Sequence, residues 1–551
     1  MVSTDRMTLA AALRASATPD RYAPGETAQA AALGVRPLPR ITYRRLLELA
    51  RLRFGDTHVV FAFPETDTVL RLGELASLSD RFARALLTAG LGPGDTIAVW
   101  SPPAPVWPVA MFGAASIGVR VCGLNTRYRR EELRQTMSVL NPALVFTATG
   151  FLDIDAEALI AEATAAPQLT APVGSLAGEL SGFLSSGDDV DPDAFAAAVG
   201  SVGPDTVALI QFTSGSTGAP KGVVISQAGS VAAAHYGAEC VGLNSSDRLY
   251  SALPFFHIGG TISTALAAVA SGCSAVLPQR FRADDALAGI ADGCTAFHGH
   301  GALWRILLDQ YRQTPIPMPT LRKGWASGDA DFLRSLRDEL DVPDLINMYG
   351  SSEAGTIACT LPGDPEDVRL GSLGHPTPGT EVSVRDDNGD PVPPGEVGEL
   401  WLSGVMVMHG YLGESHDRPD RIATGDLVTW DGEVLRFAGR VDDRLKPGGE
   451  NVSVVEVESF IRRQPGVEDV VVVGVPDRRL GEVPAAVVRS SNPTVTAESV
   501  VERCRAEIAG FKVPRHVRVV DDLPTVDTGK IDRGRIRTEL LDHLRQEGSH
   551  R

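Results

Sequence analysis

The sequence predicts an α/β protein of several packed layers followed by a smaller α+β domain, on three observations. Apolar, β-branched runs alternate with Ala/Leu-rich helical stretches between residues 57 and 350, the pattern of layered, largely parallel sheets. Between Gly371 and Phe437 the texture changes to short strands broken by turn signals such as Asp387-Asn388-Gly389-Asp390 and Pro393-Pro394-Gly395, which marks a small β-rich subdomain. Beyond Arg440 helices and strands alternate again over roughly a hundred residues, the size of a separate domain. At 551 residues the chain exceeds what one hydrophobic core organises, so it divides into a large N-terminal region over residues 1–441 and a small domain over 442–551.

Taken in order, Leu72–Gly90 reads as a helix closed by its glycine and Thr96–Trp100 as the strand that follows. Ala143–Thr147, Val207–Phe212 and Gly222–Ser226 are further short strands. Gly174–Asp205 is rich in Gly, Ser and Asp and reads as a surface connection. In the small domain the expected order is a helix (Val454–Arg463), two strands (Val467–Val475, Val483–Arg489), a helix (Thr496–Ala509) and a strand (His516–Val520). Two uncharged stretches, Thr96–Val119 and Phe255–Gln279, are long enough to cross a bilayer. Pro102, Pro103, Pro105 and Pro108 break the first, and Gly259, Gly260, Gly272 and Pro278 the second, so both read as buried strand–loop–helix units and no transmembrane segment is expected.

With 43% hydrophobic and 22% charged residues the chain has the material of a globular core. A formal charge of −18 excludes a general phosphate-backbone binder, so nucleic acid is not an expected partner. The six cysteines are scattered without a Cys/His ligand spacing, which suggests neither a zinc site nor a disulfide framework and fits a cytoplasmic location. Asp5 and Arg6 precede a weak N-terminal apolar run that Arg14 soon interrupts, a poor secretory signal, so no export is expected.

The most informative segment is Phe212-Thr213-Ser214-Gly215-Ser216-Thr217-Gly218-Ala219-Pro220-Lys221-Gly222. Gly215 and Gly218 allow close backbone approach, the hydroxyls of Thr213, Ser214, Ser216 and Thr217 can donate to phosphate oxygens, and Lys221 adds positive charge. A plain Gly/Ser turn accounts poorly for the whole run. Pro220 and Gly222 stand where a Walker loop needs Gly and Ser/Thr, so it is a different phosphate loop.

This loop resembles the phosphate-binding signature of the adenylate-forming superfamily of acyl-CoA synthetases, peptide-synthetase adenylation domains and luciferases. Further matches follow in family order: Tyr349-Gly350-Ser351-Ser352-Glu353, Thr424-Gly425-Asp426, Gly439-Arg440-Val441-Asp442-Asp443-Arg444-Leu445-Lys446 and Thr528-Gly529-Lys530. The resemblance therefore covers nearly the whole chain. Leu124–Tyr128 and Leu253–Gly260 look like acyl-CoA-synthetase segments and favour that branch. The resemblance implies an ATP-dependent, AMP-forming acid–CoA ligase that turns a carboxylic acid into its acyl-adenylate and passes the acyl group to the thiol of coenzyme A, with Mg²⁺ as the metal. The alternatives are thioesterification of a preformed acyl-adenylate, loading of a carrier protein's phosphopantetheine, and, from a different class, a low-turnover adenylate-binding protein. A homodimer is open.

The resemblance also assigns roles. Thr213 to Gly218 and Lys221 hold phosphates, Tyr349 packs against adenine, Ser352 contacts the α-phosphate and Glu353 helps hold Mg²⁺, for which a hard carboxylate is suited. Asp426 accepts from both ribose hydroxyls and Arg440 donates to the same sugar. Lys530 is the adenylation cation, offsetting charge as the carboxylate meets the α-phosphate. Gly448 and Gly449 belong to the loop that replaces Lys530 once the small domain, being mobile, rotates about Asp442, and glycines there leave room for a pantetheine arm. His257 matches an aromatic gate between the acyl pocket and the thiol tunnel. Ile258 stands where amino-acid-activating relatives carry Asp, which argues against an amino acid. The runs His298-Gly299-His300-Gly301-Ala302 and Trp325-Ala326-Ser327-Gly328-Asp329 are expected to line the acyl and adenine region. Gln227 and Asp329 depart from the family pattern and are expected to alter nucleotide contacts.

Overall fold

The computed structural model describes residues 26–151, 154–173, 176, 179–214, 220–414, 418–441, 444–445, 452–477, 480–508, 510, 512–526 and 531–548. The chain forms two compact units, one of Met1–Val382 with Leu402–Ile422 and one of Ser383–Trp401 with Ala423–Arg551. The expected hinge residue Asp442 lies outside the described residues.

The first unit is layered as expected, around two sheets. One joins β1 (Val59–Phe63), β2 (Thr68–Arg71), β9 (Arg248–Ser251), β10 (Ser274–Val276), β11 (Ala296–His298), β12 (Lys323–Ala326), β13 (Asp344–Ser351), β14 (Gly355–Cys359) and β15 (His375–Pro376) in the order β15-β14-β13-β12-β11-β9-β10-β1-β2. The other joins β3 (Thr96–Trp100), β4 (Arg120–Gly123), β5 (Leu144–Thr149), β6 (Gln168–Pro172), β7 (Val207–Ser214) and β8 (Pro220–Ser226) in the order β6-β5-β3-β4-β7-β8. The central strands pair in parallel, and antiparallel pairing enters through the hairpins β1–β2, β7–β8 and β13–β14 and the edge pair β14–β15. Strand β3 is buried along its length, which is why it reads as an unbroken apolar run. Helix Leu72–Thr88 buries Leu72, Leu75, Phe82 and Leu86 on one face and stops before Gly90, whose φ of 78° a helix does not accept. It packs closely on helix Val106–Ser116, where a Cβ on Gly113 would come within 2.7 Å of the Ser79 carbonyl.

Both uncharged stretches are interior except at His257, which is exposed. Among the described residues no helix is long and apolar enough to cross a membrane. Gly272, at φ 78°, ends the helix of the second stretch as expected, whereas Gly259 and Gly260 lie within the helical run. Ile258–Gly260, Thr261–Leu266 and Ala267–Ser271 follow one another directly, the middle segment being π-helical. The expected connection Gly174–Asp205 also contains two helices, Glu179–Ser186 and Pro192–Gly200. Leu180, Leu184 and Phe195 are buried there, and Asp191 caps the second by accepting from the Ala194 amide. Against the expectation of unpaired cysteines, Cys240 and Cys359 form a disulfide between helix Gln227–Val241 and β14, across a sequence separation of 119.

In the second unit the β-rich segment contributes to β16 (Thr380–Arg385), β17 (Gly398–Gly404), β18 (Ile422–Trp430) and β19 (Leu435–Arg440), the last two pairing antiparallel. Next come the short pair β20 (Arg444–Leu445) and β21 (Val452–Ser453), then the sheet of β22 (Asp469–Asp477), β23 (Gly481–Arg489) and β24 (His516–Val520) in that order. Helices Val454–Arg462, Ala497–Glu507 and Arg533–Gly548 complete this α+β unit. Its buried Glu458 accepts from the Val472 amide (2.7 Å) and pairs with Arg533 (2.7 Å).

Candidate active site

The phosphate segment is built as a hairpin. Strands β7 and β8 pair from Val207↔Ser226 through Thr213↔Lys221 to Ser214↔Pro220, so most of the expected loop is strand and only its tip remains. Gly215, Ser216, Thr217 and Gly218, and the Ser214 side chain, lie outside the described residues. The segment Met408–Leu412 runs beside β8. The Val224 amide donates to the Gly410 carbonyl (3.1 Å), the His409 amide to the Val224 carbonyl (2.8 Å) and the Leu412 amide to the Gly222 carbonyl (2.7 Å). This pairing sets Tyr411 against Lys221, whose Nζ lies 5.0 Å from the ring centroid, a cation–π contact.

Tyr349, Ser352 and Glu353 come from the hairpin of β13 and β14. Its strands close so tightly that a Cβ on Gly350 would sit 2.3 Å from the Gly355 carbonyl oxygen, and Gly355 has φ 60°. Glycine is required at the first and favoured at the second. Ser352, Glu353 and Ala354 form the turn. The Glu353 carbonyl accepts from the Met408 amide (2.8 Å), and its carboxylate accepts from the Tyr411 hydroxyl (3.3 Å). Burial, reinforced by the Glu353 charge, pushes the Tyr411 pKa up to about 12, so the hydroxyl keeps the proton it donates. Tyr411 thus touches both Lys221 and Glu353. Sequence reasoning missed it, since a lone aromatic after Gly410 in a turn-rich stretch carries no periodic signal. Among the described residues no group of three His, Cys, Asp or Glu could hold a metal. A cation at Glu353 would draw its other oxygens from phosphates and water, the coordination Mg²⁺ favours, so the residues present fit that ion.

Ser251 and His298 stand at the carboxyl ends of β9 and β11, with His298 in register with Ser251 on one side and Trp325 on the other. The rings of His298 and Trp325 stack at 4.1 Å. Burial first, then the neighbouring His300 and His257, holds the His298 imidazole well below its ordinary pKa, so it is neutral at pH 7. His257 is exposed, and its Nδ1 accepts from the Gly259 amide at 3.0 Å, capping the helical stretch that follows. The structure thus brings His257 and His298 to one region of the first unit.

In the second unit Asp426 on β18 and Arg440 at the end of β19 are register partners, and Arg440 Nη1 donates to Asp426 Oδ1 at 2.7 Å. Asp426 is 8% exposed, its amide donating to Thr424 Oγ1 (3.1 Å). Lys530, Gly448 and Gly449 lie outside the described residues. Thr525 and Ile531 pair on either side of Lys530 in sequence, and Arg444↔Ser453 and Leu445↔Val452 pair on either side of the two glycines.

The two departures have structural roles. Gln227 is fully buried, its Nε2 donating to the Ala115 carbonyl (2.9 Å) and its Oε1 accepting from the Tyr43 amide (2.8 Å). Asp329 caps helix Ala330–Glu339 by accepting from the Phe332 amide (2.9 Å).

The AMP-binding enzyme family matches residues 48–412, and the AMP-binding enzyme C-terminal domain matches residues 456–530. The chain is 33% identical over 519 residues to 3-[(3aS,4S,7aS)-7a-methyl-1,5-dioxo-octahydro-1H-inden-4-yl]propanoyl:CoA ligase of Rhodococcus jostii, covering 90% of this chain and 98% of that one. It is 31% identical over 493 residues to the sulfoacetate–CoA ligase of Cupriavidus necator, covering 87% and 94%. Among solved structures, ATP-bound MatB from Rhodopseudomonas palustris shares the fold, with a TM-score of 0.75 at 23% identity over 91% of this chain and 99% of that one.

Proposed function

The chain belongs to the AMP-binding enzyme family, and on that premise we propose that it is an ATP-dependent acid–CoA ligase working in the cytoplasm. A carboxylate oxygen of the acid attacks the α-phosphorus of ATP, the bond to the bridging oxygen breaks, and pyrophosphate leaves with that electron pair. The thiolate of CoA then attacks the acyl carbon, and AMP leaves as the tetrahedral intermediate collapses. CoA, rather than a carrier-bound phosphopantetheine, is the acceptor we propose.

The observation that carries this reading is Tyr411 set between Lys221 and Glu353, which supplies a cation and an oriented carboxylate side by side. Lys221 attracts the phosphates, Tyr349 supplies a face for adenine, Ser352 a hydroxyl for the α-phosphate, and Glu353 would hold Mg²⁺, which neutralises phosphate charge when bound. Asp426 and Arg440 bind the ribose, with Arg440 aligning the carboxylate it already pairs. Lys530 serves adenylation and the Gly448-Gly449 loop serves thiol transfer. They exchange by rotation at Asp442 between a large domain of residues 1–441 and a mobile small domain of 442–551. His257 gates the acyl and thiol sides.

The curated relatives named above act on acids that share little beyond the carboxylate, so identity alone does not transfer a substrate. The test is a panel of acids with ATP and CoA and mass detection of acyl-AMP and acyl-CoA. Thioester with matching AMP and pyrophosphate is the expected result. Thioester from supplied acyl-AMP alone, with no pyrophosphate from ATP, would leave only the second half-reaction.

A further inference from the structure

Strands β9, β11, β12 and β13 run parallel and end side by side, and in open α/β sheets ligands bind beyond the carboxyl ends of the strands. At those ends the proton positions can be worked out. Thr264 Oγ1 donates its single proton to the Gly259 carbonyl (2.8 Å), so it accepts in its contacts with Ser251 Oγ (2.9 Å) and His298 Nδ1 (3.0 Å). The proton of His298 is therefore on Nδ1. The ring is neutral, so Nε2 carries a lone pair, and among the described residues nothing donates to it.

Two buried atoms, on side chains tied to this segment by a hydrogen bond and by the ring stack, have no partner among the described residues. Gln211 is 2% exposed; its Nε2 donates to Thr261 (3.3 Å), on the same π-helical segment as Thr264, and its Oε1 is unfilled. Trp325 is 4% exposed, stacks on His298, and its Nε1 proton is unused. The set is two acceptors and one donor, of which the Gln211 and Trp325 atoms are buried and costly to leave unpaired. A hydrocarbon would satisfy none of them, an ether or ketone brings no proton for Nε2, and a second carboxylate would face two acceptors. A neutral hydroxyl can both give a proton and accept one.

We propose that this network recognises the acyl part of the substrate and selects carboxylic acids that carry a hydroxyl group away from the carboxylate, the hydroxyl donating to His298 Nε2. The location of the acid rests on the ligase reading above. His298 is here a specificity residue that touches the substrate.

The experiment uses matched triples of acids on aliphatic, aryl and polycyclic frameworks, each with a hydroxyl, a methyl ether or hydrogen at one remote position. Thioester formation is measured by mass, and binding of the same acids by calorimetry with a non-hydrolysable ATP analogue present. The hydroxylated member should exceed both others by about tenfold or more in kcat/KM and in affinity. His298→Phe, which keeps the stack on Trp325, should bring the ratios near one. The wild-type comparison decides alone where that variant does not fold. Turnover without preference for the hydroxyl overturns the proposal and leaves the ligase reading standing. A binding preference without any turnover sinks the ligase reading and supports the recognition site.

Discussion

Tyr411 donates its hydroxyl to Glu353 at 3.3 Å while Lys221 lies 5.0 Å from the centre of its ring. One side chain therefore steadies the two charged groups on which nucleotide binding would depend. The ring and the hydroxyl do separate work, so they can be separated by mutation.

Tyr411→Phe keeps the ring under Lys221 and removes only the bond to Glu353. A hydrogen bond to a charged group in a partly exposed place predicts a loss of about fivefold to tenfold in kcat/KM for MgATP, appearing as a higher Mg²⁺ requirement. An Mg²⁺ titration of pyrophosphate release checks it, and an unchanged Mg²⁺ dependence would remove Tyr411 from the site. With a pKa raised to about 12, the wild-type hydroxyl stays protonated at least to about pH 10, so no tyrosine ionisation should appear in the profile below that.

Much of the proposed site could be read from the sequence because its residues come in short ordered runs. Lys221, Tyr349, Ser352 and Glu353 were readable from motifs, and Thr96–Trp100 and His516–Val520 are strands over the expected residues. What was not legible depends on lateral pairing. Tyr411 meets Lys221 only because Met408–Leu412 lies along β8, and Cys240 meets Cys359 only because a helix packs on a strand remote in sequence. The helices within residues 179–200 were hidden because Gly, Ser and Asp dominate the composition while a few buried apolar side chains determine the structure. Gln227 looked like an altered nucleotide contact because its burial is a property of packing.

Gln227→Leu should therefore lower stability and leave ATP binding alone. It strands the Tyr43 amide in the core, at about 1–3 kcal/mol, and takes one bond from the Ala115 carbonyl, which keeps the Gly118 amide (3.3 Å). A drop of several degrees in Tm with an unchanged KM for ATP in the folded protein is expected. A raised KM with Tm intact would restore the nucleotide role.

Asp426→Asn is close in shape and removes the charge that Arg440 meets. Catalytic efficiency with ATP should fall about tenfold, with the KM for the acid little changed. A sharper readout is the substrate pair ATP and 3′-deoxy-ATP. The wild type should prefer ATP, and the variant should lose most of that preference. Equal loss with both nucleotides would mean that Asp426 supports the β18–β19 pair and does not read the sugar.

The two half-reactions should separate at Lys530. Thr525 and Ile531 pair on either side of it in sequence, and the β20–β21 pair flanks Gly448 and Gly449. In adenylation two anionic groups approach each other, and a cation aimed at their shared oxygens acts mainly in the transition state. Lys530→Ala should then slow pyrophosphate release from ATP plus acid by about a hundredfold to a thousandfold, the scale of removing an oxyanion donor. Attack of the CoA thiolate on a preformed acyl-adenylate has no such need, because the carboxylate charge is already gone. Supplied synthetic acyl-AMP and CoA, the variant should make acyl-CoA within a few-fold of the wild-type rate, by the arithmetic that assigns a rate loss only to interactions made in that transition state. Equal losses in the two assays, in a protein with an unaltered Tm, would mean that Lys530 is needed throughout and that one arrangement of the chain performs both steps.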